Sequence, residues 1–235
     1  MRKVLIMMLF LCILFPAPVN AGFFDGVFKS LSGTATGEHD DSTVASGLKE
    51  ALSIGTENAV KNVSQVDGYF GNQIIKILLP EKVQAVADVL KKIGYQKQVD
   101  EFILSMNRAA EKAAPKAASF FVDAIKEMTF DDARKILNGG DTSATDFFKN
   151  KTSDKLYNAF KPVISSSMEE VGVTRSYKEM MAPLPLVGKE SLNLDHYVTN
   201  KALDGLFYMI GQEEKKIRTD PAARVTDLLK TVFSK

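Results

Sequence analysis

The chain has 235 residues, with 30 basic and 29 acidic side chains, two histidines and a single cysteine. So balanced a charge argues against nucleic acid as the main partner, and so few histidines and cysteines leave a histidine triad or a multi-ligand zinc site little to be built from. The length suits one large domain held by an ordinary hydrophobic core.

In chain order, Arg2 and Lys3 precede the unbroken apolar run VLIMMLFLCILF (residues 4–15), which Pro16 and Pro18 break before VNA. That is the pattern of a secretory leader and is too short for an ordinary membrane span. Residues 1–21 are therefore expected to be a cleaved signal peptide, and the mature protein to lie in the periplasm. The only cysteine, Cys12, leaves with the leader. The remaining 28 basic and 29 acidic residues give a mature charge of −1. No thiol, disulfide or thiolate metal site is then expected.

Residues 22–43 read as an apolar segment followed by a linker. Phe23, Phe24, Val27, Phe28 and Leu31 recur at helical spacing, and GTATGEHDDST follows. Such a segment either folds back on the core or acts as a tethered arm that docks on a membrane surface or a partner. From residue 44 to 235 the pattern is helical almost throughout. Val44, Leu48, Leu52, Ala59 and Val63 form one stripe, and Gly47 and Gly55 on it suggest close helix–helix approach. DGYFGN reads as a turn, and QIIKILLP as one short extended piece ended by Pro80 at a helix start. Val83, Val86, Val89, Leu90 and Ile93 continue in helical spacing up to Gly94.

The longest periodic run steps through Val99, Phe102, Met106, Ala110, Ala113, Ala117, Phe120, Ala124 and Met128. Pro115 should kink it, because proline lacks a backbone donor and crowds the preceding turn. Later helices are expected at about 153–171, 195–218 and 220–233, the last opened by Asp220 and Pro221. The predicted fold is all-α: a single multi-helix domain with a kinked central helix and at most one short extended segment.

KILNGGDTSATDFF (residues 135–148) is the one stretch dense in oxygen donors and glycine. As a calcium loop starting at Asp141 it places Asp146 where glycine is required and Thr152 where a bidentate glutamate is required. No lysine follows the glycines at phosphate-loop spacing. Helix punctuation fits better. Asn138, Gly139 and Gly140 would take left-handed C-cap conformations, and Ser143 with Asp146 would form a capping box, as would Thr129 with Asp132.

Two polar clusters fall on predicted helices. Asn107 and Glu111 share a face, and Arg108 can pair with Glu111; Glu214 can pair with Arg218. They read either as ion pairs or as the polar lining of a cavity walled by apolar residues such as Met106, Phe207 and Met209. His39 and His196 stand apart, and no set of metal ligands or catalytic residues emerges; no cofactor is expected.

The blocks GLKEAL, MNRAAEKAAPKA, MTFDDARKILNGGDTSATDFF, KALDGLFYMI and EEKKIRTDPAARVTDLLKTVF resemble the signature blocks of domain-of-unknown-function family 4197. The resemblance implies an exported bacterial protein of one domain. It carries over no activity and no catalytic residue.

The expected function is a non-enzymatic binding module for a lipid-like ligand or a cell-envelope protein. Asn107, Arg108, Glu111, Met106, Phe207 and Met209 are its candidate ligand-binding residues. Phe23, Phe24, Val27, Phe28 and Leu31 are candidates for peripheral membrane or partner docking. The alternatives are an interaction protein without a pocket and, third, a carboxylate-dependent hydrolase. A closed apolar cavity would favour the first reading, an exposed groove the second, and facing carboxylates in a cleft the third.

Overall fold

The computed structural model describes residues 41–170, 193–224, 226 and 230. Seven α-helices lie within them: α1 (Asp41–Ser64), α2 (Glu81–Leu90), α3 (Gln96–Ala113), α4 (Ala117–Lys126), α5 (Phe130–Leu137), α6 (Ser143–Glu170) and α7 (Leu194–Thr219). No strand occurs among the described residues, and the fold is all-α. Of the predicted apolar segment and linker, residues 41–43 belong to α1 and residues 22–40 lie outside the described residues, as do residues 171–192 and most of the last predicted helix. Of that helix, Asp220 caps a short 3-10 turn, Pro221–Ala223, by accepting from the Ala222 N–H at 2.9 Å.

The periodic run through residues 99–128 forms the centre. Val99, Phe102, Met106, Ala109, Ala110, Ala113, Ala114 and Ala117 are all fully buried. Alanine at successive turns lets neighbouring helices approach closely, so that α3 packs on α6 and α7, and α4 on α1 and α6. Pro115 divides the rod as expected: a 3-10 turn, Ala114–Lys116, separates α3 from α4. Beyond it Phe121, rather than Phe120, is the fully buried ring, because Phe121 is turned edge-on to Phe148 and Phe207, at 5.2 and 6.3 Å between centroids.

The other helices close around this rod. α7 lies along α6 and α1, burying Val198, Ala202, Leu206, Phe207 and Ile210. α6 begins at Ser143, well before the expected 153, and runs through Pro162 without ending. Its inner row is Phe148, Leu156, Phe160 and Ile164. Gly55 sits in the α1–α7 contact, where a methyl group would meet Glu213 and Ile217 at 3.6 Å, an ordinary van der Waals spacing. Gly205 is more tightly constrained. A Cβ there would come within 2.7 Å of the Tyr69 ring and 3.1 Å of Ile75. Gly205→Ala is expected to destabilise the fold by about 1–3 kcal/mol through overpacking, read as a lower urea midpoint at unchanged slope.

The segment between α1 and α2 has no regular structure, yet it is fastened at several points. Residues 66–71 are turn, with Asp67 at a φ of 67°. Ile75, Ile77 and Leu79 are then buried while Ile74 and Leu78 are exposed. Of QIIKILLP, residues 73–75 form a turn in which the Lys76 N–H donates to the Asn72 carbonyl at 2.9 Å, and only residues 76–80 are free of turn and helix; the stretch joins no sheet.

Candidate functional site

The polar residues of α3 hold this irregular segment. The Asn107 amide acts as a strand neighbour would: its Oδ1 accepts from the Ile77 N–H and its Nδ2 donates to the Ile77 carbonyl, both at 2.8 Å. One turn on, Glu111 Oε1 accepts from the N–H groups of Tyr69 and Phe70 at 3.1 and 3.2 Å. Its Oε2 accepts from Arg108 at 2.6 Å, and Arg108 reaches Asp67 at 2.7 Å. Burial opposes the Arg108 charge, but hydrogen bonds to Glu111 and Asp67 outweigh it and raise its pKa above the usual value. The Tyr69 hydroxyl donates to the Ala202 carbonyl on α7 at 2.7 Å; burial, then the Glu111 charge, push that phenol far up.

Asn107 and Glu111 are therefore occupied by backbone groups that would otherwise be buried without partners. Met106 is fully buried and Phe207 nearly so, both in the core. Met209 is half-buried, its sulfur facing the Asn72 amide at 3.7 Å. The six residues read as a ligand set form a loop fastening and part of the core rather than one concave lining. The reason lies in the loop, whose amides need acceptors that no sheet provides.

The glutamates of α7 have a similar role. Glu214 accepts from the N–H groups of Ala144 and Thr145 at 2.9 Å each, and from the Thr145 hydroxyl at 2.8 Å, which caps the start of α6 from another helix. Its predicted partner Arg218 lies at 3.0 Å and also donates to the Ile136 carbonyl, closing the end of α5. Glu213 faces Asn58 and Lys216. The glycine-rich loop is indeed punctuation, by a different mechanism from the one expected. Asn138 is right-handed, and Gly94 is the one described glycine at positive φ. Gly139 is needed for space, since a Cβ would fall 2.0 Å from Ser143 Oγ. The expected Ser143–Asp146 box is replaced by Glu214, whereas the Thr129–Asp132 box is present with both bonds.

The concave feature lies elsewhere. A groove of about 760 Å³ runs between residues 74–82 and one face of α7. Ile74 and Leu78, 67% and 56% exposed, line one side; Tyr197, Lys201, Asp204 and Tyr208 line the other. Gly205 and Ile75 lie at its base, where the close approach described above brings segment and helix together. The Tyr197 hydroxyl donates to the Leu78 carbonyl at 2.9 Å and so sets the spacing of the two walls. Burial, then the Glu81 charge, raise that phenol's pKa and keep it a donor. Lys76, Lys82 and Lys201 stand beside Glu81 and Asp204 along the groove.

None of the six predicted ligand residues lines this groove. A sequence signal for it existed: QIIKILLP is apolar in both phases of an extended chain, so whichever face it buries, the other shows large apolar side chains to solvent. Among the described residues no three His, Cys, Asp or Glu side chains are placed to hold a metal, and no helix is long and apolar enough to cross a membrane.

The fold and the groove define an all-α, single-domain protein with an open apolar surface cleft. The chain belongs to the family described as protein of unknown function (DUF4197), whose model matches residues 38–234. No curated protein and no solved structure matches it.

Proposed function

We propose that this is an interaction protein of the cell envelope, the second of the readings above, exported through its N-terminal leader, whose open groove takes an apolar segment of a partner protein. The carrying observation is the exposure of Ile74 and Leu78 on one side of the fastened segment before α2, opposite Tyr208 on α7. Large apolar side chains gathered in one concavity mark a recognition surface more often than chance exposure. An open groove favours a macromolecular partner over an enclosed small molecule. The buried carboxylates Glu111 and Glu214 are already occupied by backbone N–H groups and arginines, which speaks against a carboxylate-dependent hydrolase. Peripheral docking through Phe23, Phe24, Val27, Phe28 and Leu31 remains compatible with this role.

A photo-crosslinking side chain placed at Leu78 or Tyr208 in the native cell tests the reading, with Phe130, exposed on a different helix, as control position. One protein adduct is expected from the groove positions and not from the control. The double change Ile74→Glu and Leu78→Glu is expected to abolish the adduct formed from Tyr208 while moving stability by no more than about 0.5 kcal/mol, since both side chains are exposed. Adducts equal at all positions, or surviving the double change, would remove the groove from consideration. A stoichiometric lipid in an organic extract of the gently purified protein would reassign the groove to a small amphiphile.

A further inference from the structure

The segment before α2 has one backbone edge that the fold leaves unpaired. Ile77 gives both its N–H and its carbonyl to the Asn107 side chain, each at 2.8 Å. One primary amide reaches both groups only where they lie side by side, so the chain is extended at Ile77. A trans peptide bond sets its C=O and N–H on opposite sides. The Lys76 carbonyl, opposite the Ile77 N–H, therefore points away from Asn107. So does the Leu78 N–H, opposite the Ile77 carbonyl.

These two groups place an acceptor and a donor on either side of Ile77, aimed away from α3. Neither has a hydrogen-bond partner among the described residues. The next carbonyl, that of Leu78, accepts from Tyr197 on α7, and Lys76, Leu78 and Tyr197 all line the groove. The free edge therefore borders the groove. Charge gives no comparable direction, because Lys76, Lys82 and Lys201 stand against Glu81 and Asp204 along the same walls.

We propose that the groove takes its partner segment in extended form, as a strand added parallel to residues 76–78. One residue of that strand donates its N–H to the Lys76 carbonyl and accepts, at its own carbonyl, from the Leu78 N–H, which is the pairing of a parallel ladder. The strand then serves the outer edge of Ile77 as the Asn107 amide serves the inner one. An antiparallel strand would also need the Lys76 N–H and the Leu78 carbonyl, which Asn72 and Tyr197 already hold. Alternate side chains of the strand lie against Ile74, Leu78 and Tyr208. The inference rests on the groove reading above and adds to it the partner's backbone conformation and direction.

Two measurements test it. Amide exchange in the isolated protein should find Ile77 protected and Leu78 exchanging at least about 100-fold faster. The photo-crosslinking side chain at Tyr208 then reads partner capture in the native cell. Leu78→Ala, which shortens the side chain and keeps the N–H, should lower the adduct several-fold. Leu78→Pro, which also removes the N–H, should lower it on the order of 10-fold further. Proline suits the site because the residue before it is held extended, so the urea midpoint of Leu78→Pro should match that of Leu78→Ala. Equal adduct from these two variants, with capture still abolished by Ile74→Glu with Leu78→Glu, would overturn strand addition and leave the groove reading standing. A protected Leu78 amide in the isolated protein, or a lower midpoint for Leu78→Pro alone, would show the donor already in use and overturn it as well. No adduct from Tyr208 in the otherwise unchanged chain would sink both readings together.

Discussion

Glu111→Ala is expected to lower the stability of the protein by about 3–5 kcal/mol. The carboxylate is 5% exposed and holds two backbone N–H groups and one guanidinium. Its loss strands the amides of Tyr69 and Phe70 and leaves Arg108 with Asp67 alone. Each stranded buried donor costs about 1–3 kcal/mol, which sets the scale. Glu111→Gln keeps an oxygen for the amides and loses the charge facing Arg108, so it should fall about midway. Lys112→Ala is the control. It breaks the exposed Lys112–Glu170 pair one residue along the same helix and should change stability by less than about 1 kcal/mol. Urea unfolding followed by circular dichroism reads all three. If Glu111→Ala proves no more harmful than Lys112→Ala, the segment is held by something other than this fastening.

The second large effect is expected at Glu214. Its replacement by alanine removes the acceptor for Ala144, Thr145 and the Thr145 hydroxyl and leaves Arg218 without its carboxylate. A helix cap contributes about 1 kcal/mol and a buried charge pair more, so a loss of about 2–4 kcal/mol follows. Amide exchange should quicken first at residues 143–148, where α6 loses its cap, before the rest of the helix responds. The adjacent Glu213→Ala should cost distinctly less, because Glu213 holds one side-chain amide and a largely exposed lysine. Equal losses at the two positions would contradict the capping role. The comparison is strict because the two residues are chemically identical neighbours on one helix.

Together these side chains explain how an all-α protein carries an unpaired extended segment. An extended chain exposes backbone donors and acceptors along both edges, and water cannot satisfy those that are buried. Asn107 supplies the missing neighbour for Ile77, and Glu111 does so for the turn before it. The segment is thereby held with Ile75, Ile77 and Leu79 inward, and Ile74 and Leu78 must face out. The same hydrogen bonds that stabilise the loop thus create the groove.

Much of the architecture was legible in local pattern. The 3.6-residue spacing of apolar side chains marks the helices, Pro115 marks the break in the central rod, and Thr129 with Asp132 marks the start of α5. These features depend on neighbours within one or two turns, so sequence spacing alone specifies them. The partners of Asn107, Glu111 and Glu214 do not. Glu111 meets amides 41 and 42 residues away, and Glu214 caps a helix start 69 and 70 residues away. In sequence each looked like half of a helical ion pair, and the ion pairs are present. What spacing could not reveal is that the second oxygen of each carboxylate was needed by backbone elsewhere.

Local chemistry by itself determined that this chain is helical, that its central helix breaks at Pro115, and that the glycine-rich loop near residue 140 is a boundary between helices. Tertiary packing decided which of the apolar side chains of QIIKILLP are turned outward, and that Asn107 and Glu111 bond the backbone of the segment before α2. The physical reason is the same in both cases. Buried backbone groups require partners wherever the fold places them, and only the packed arrangement brings a side chain from a distant helix close enough to be one.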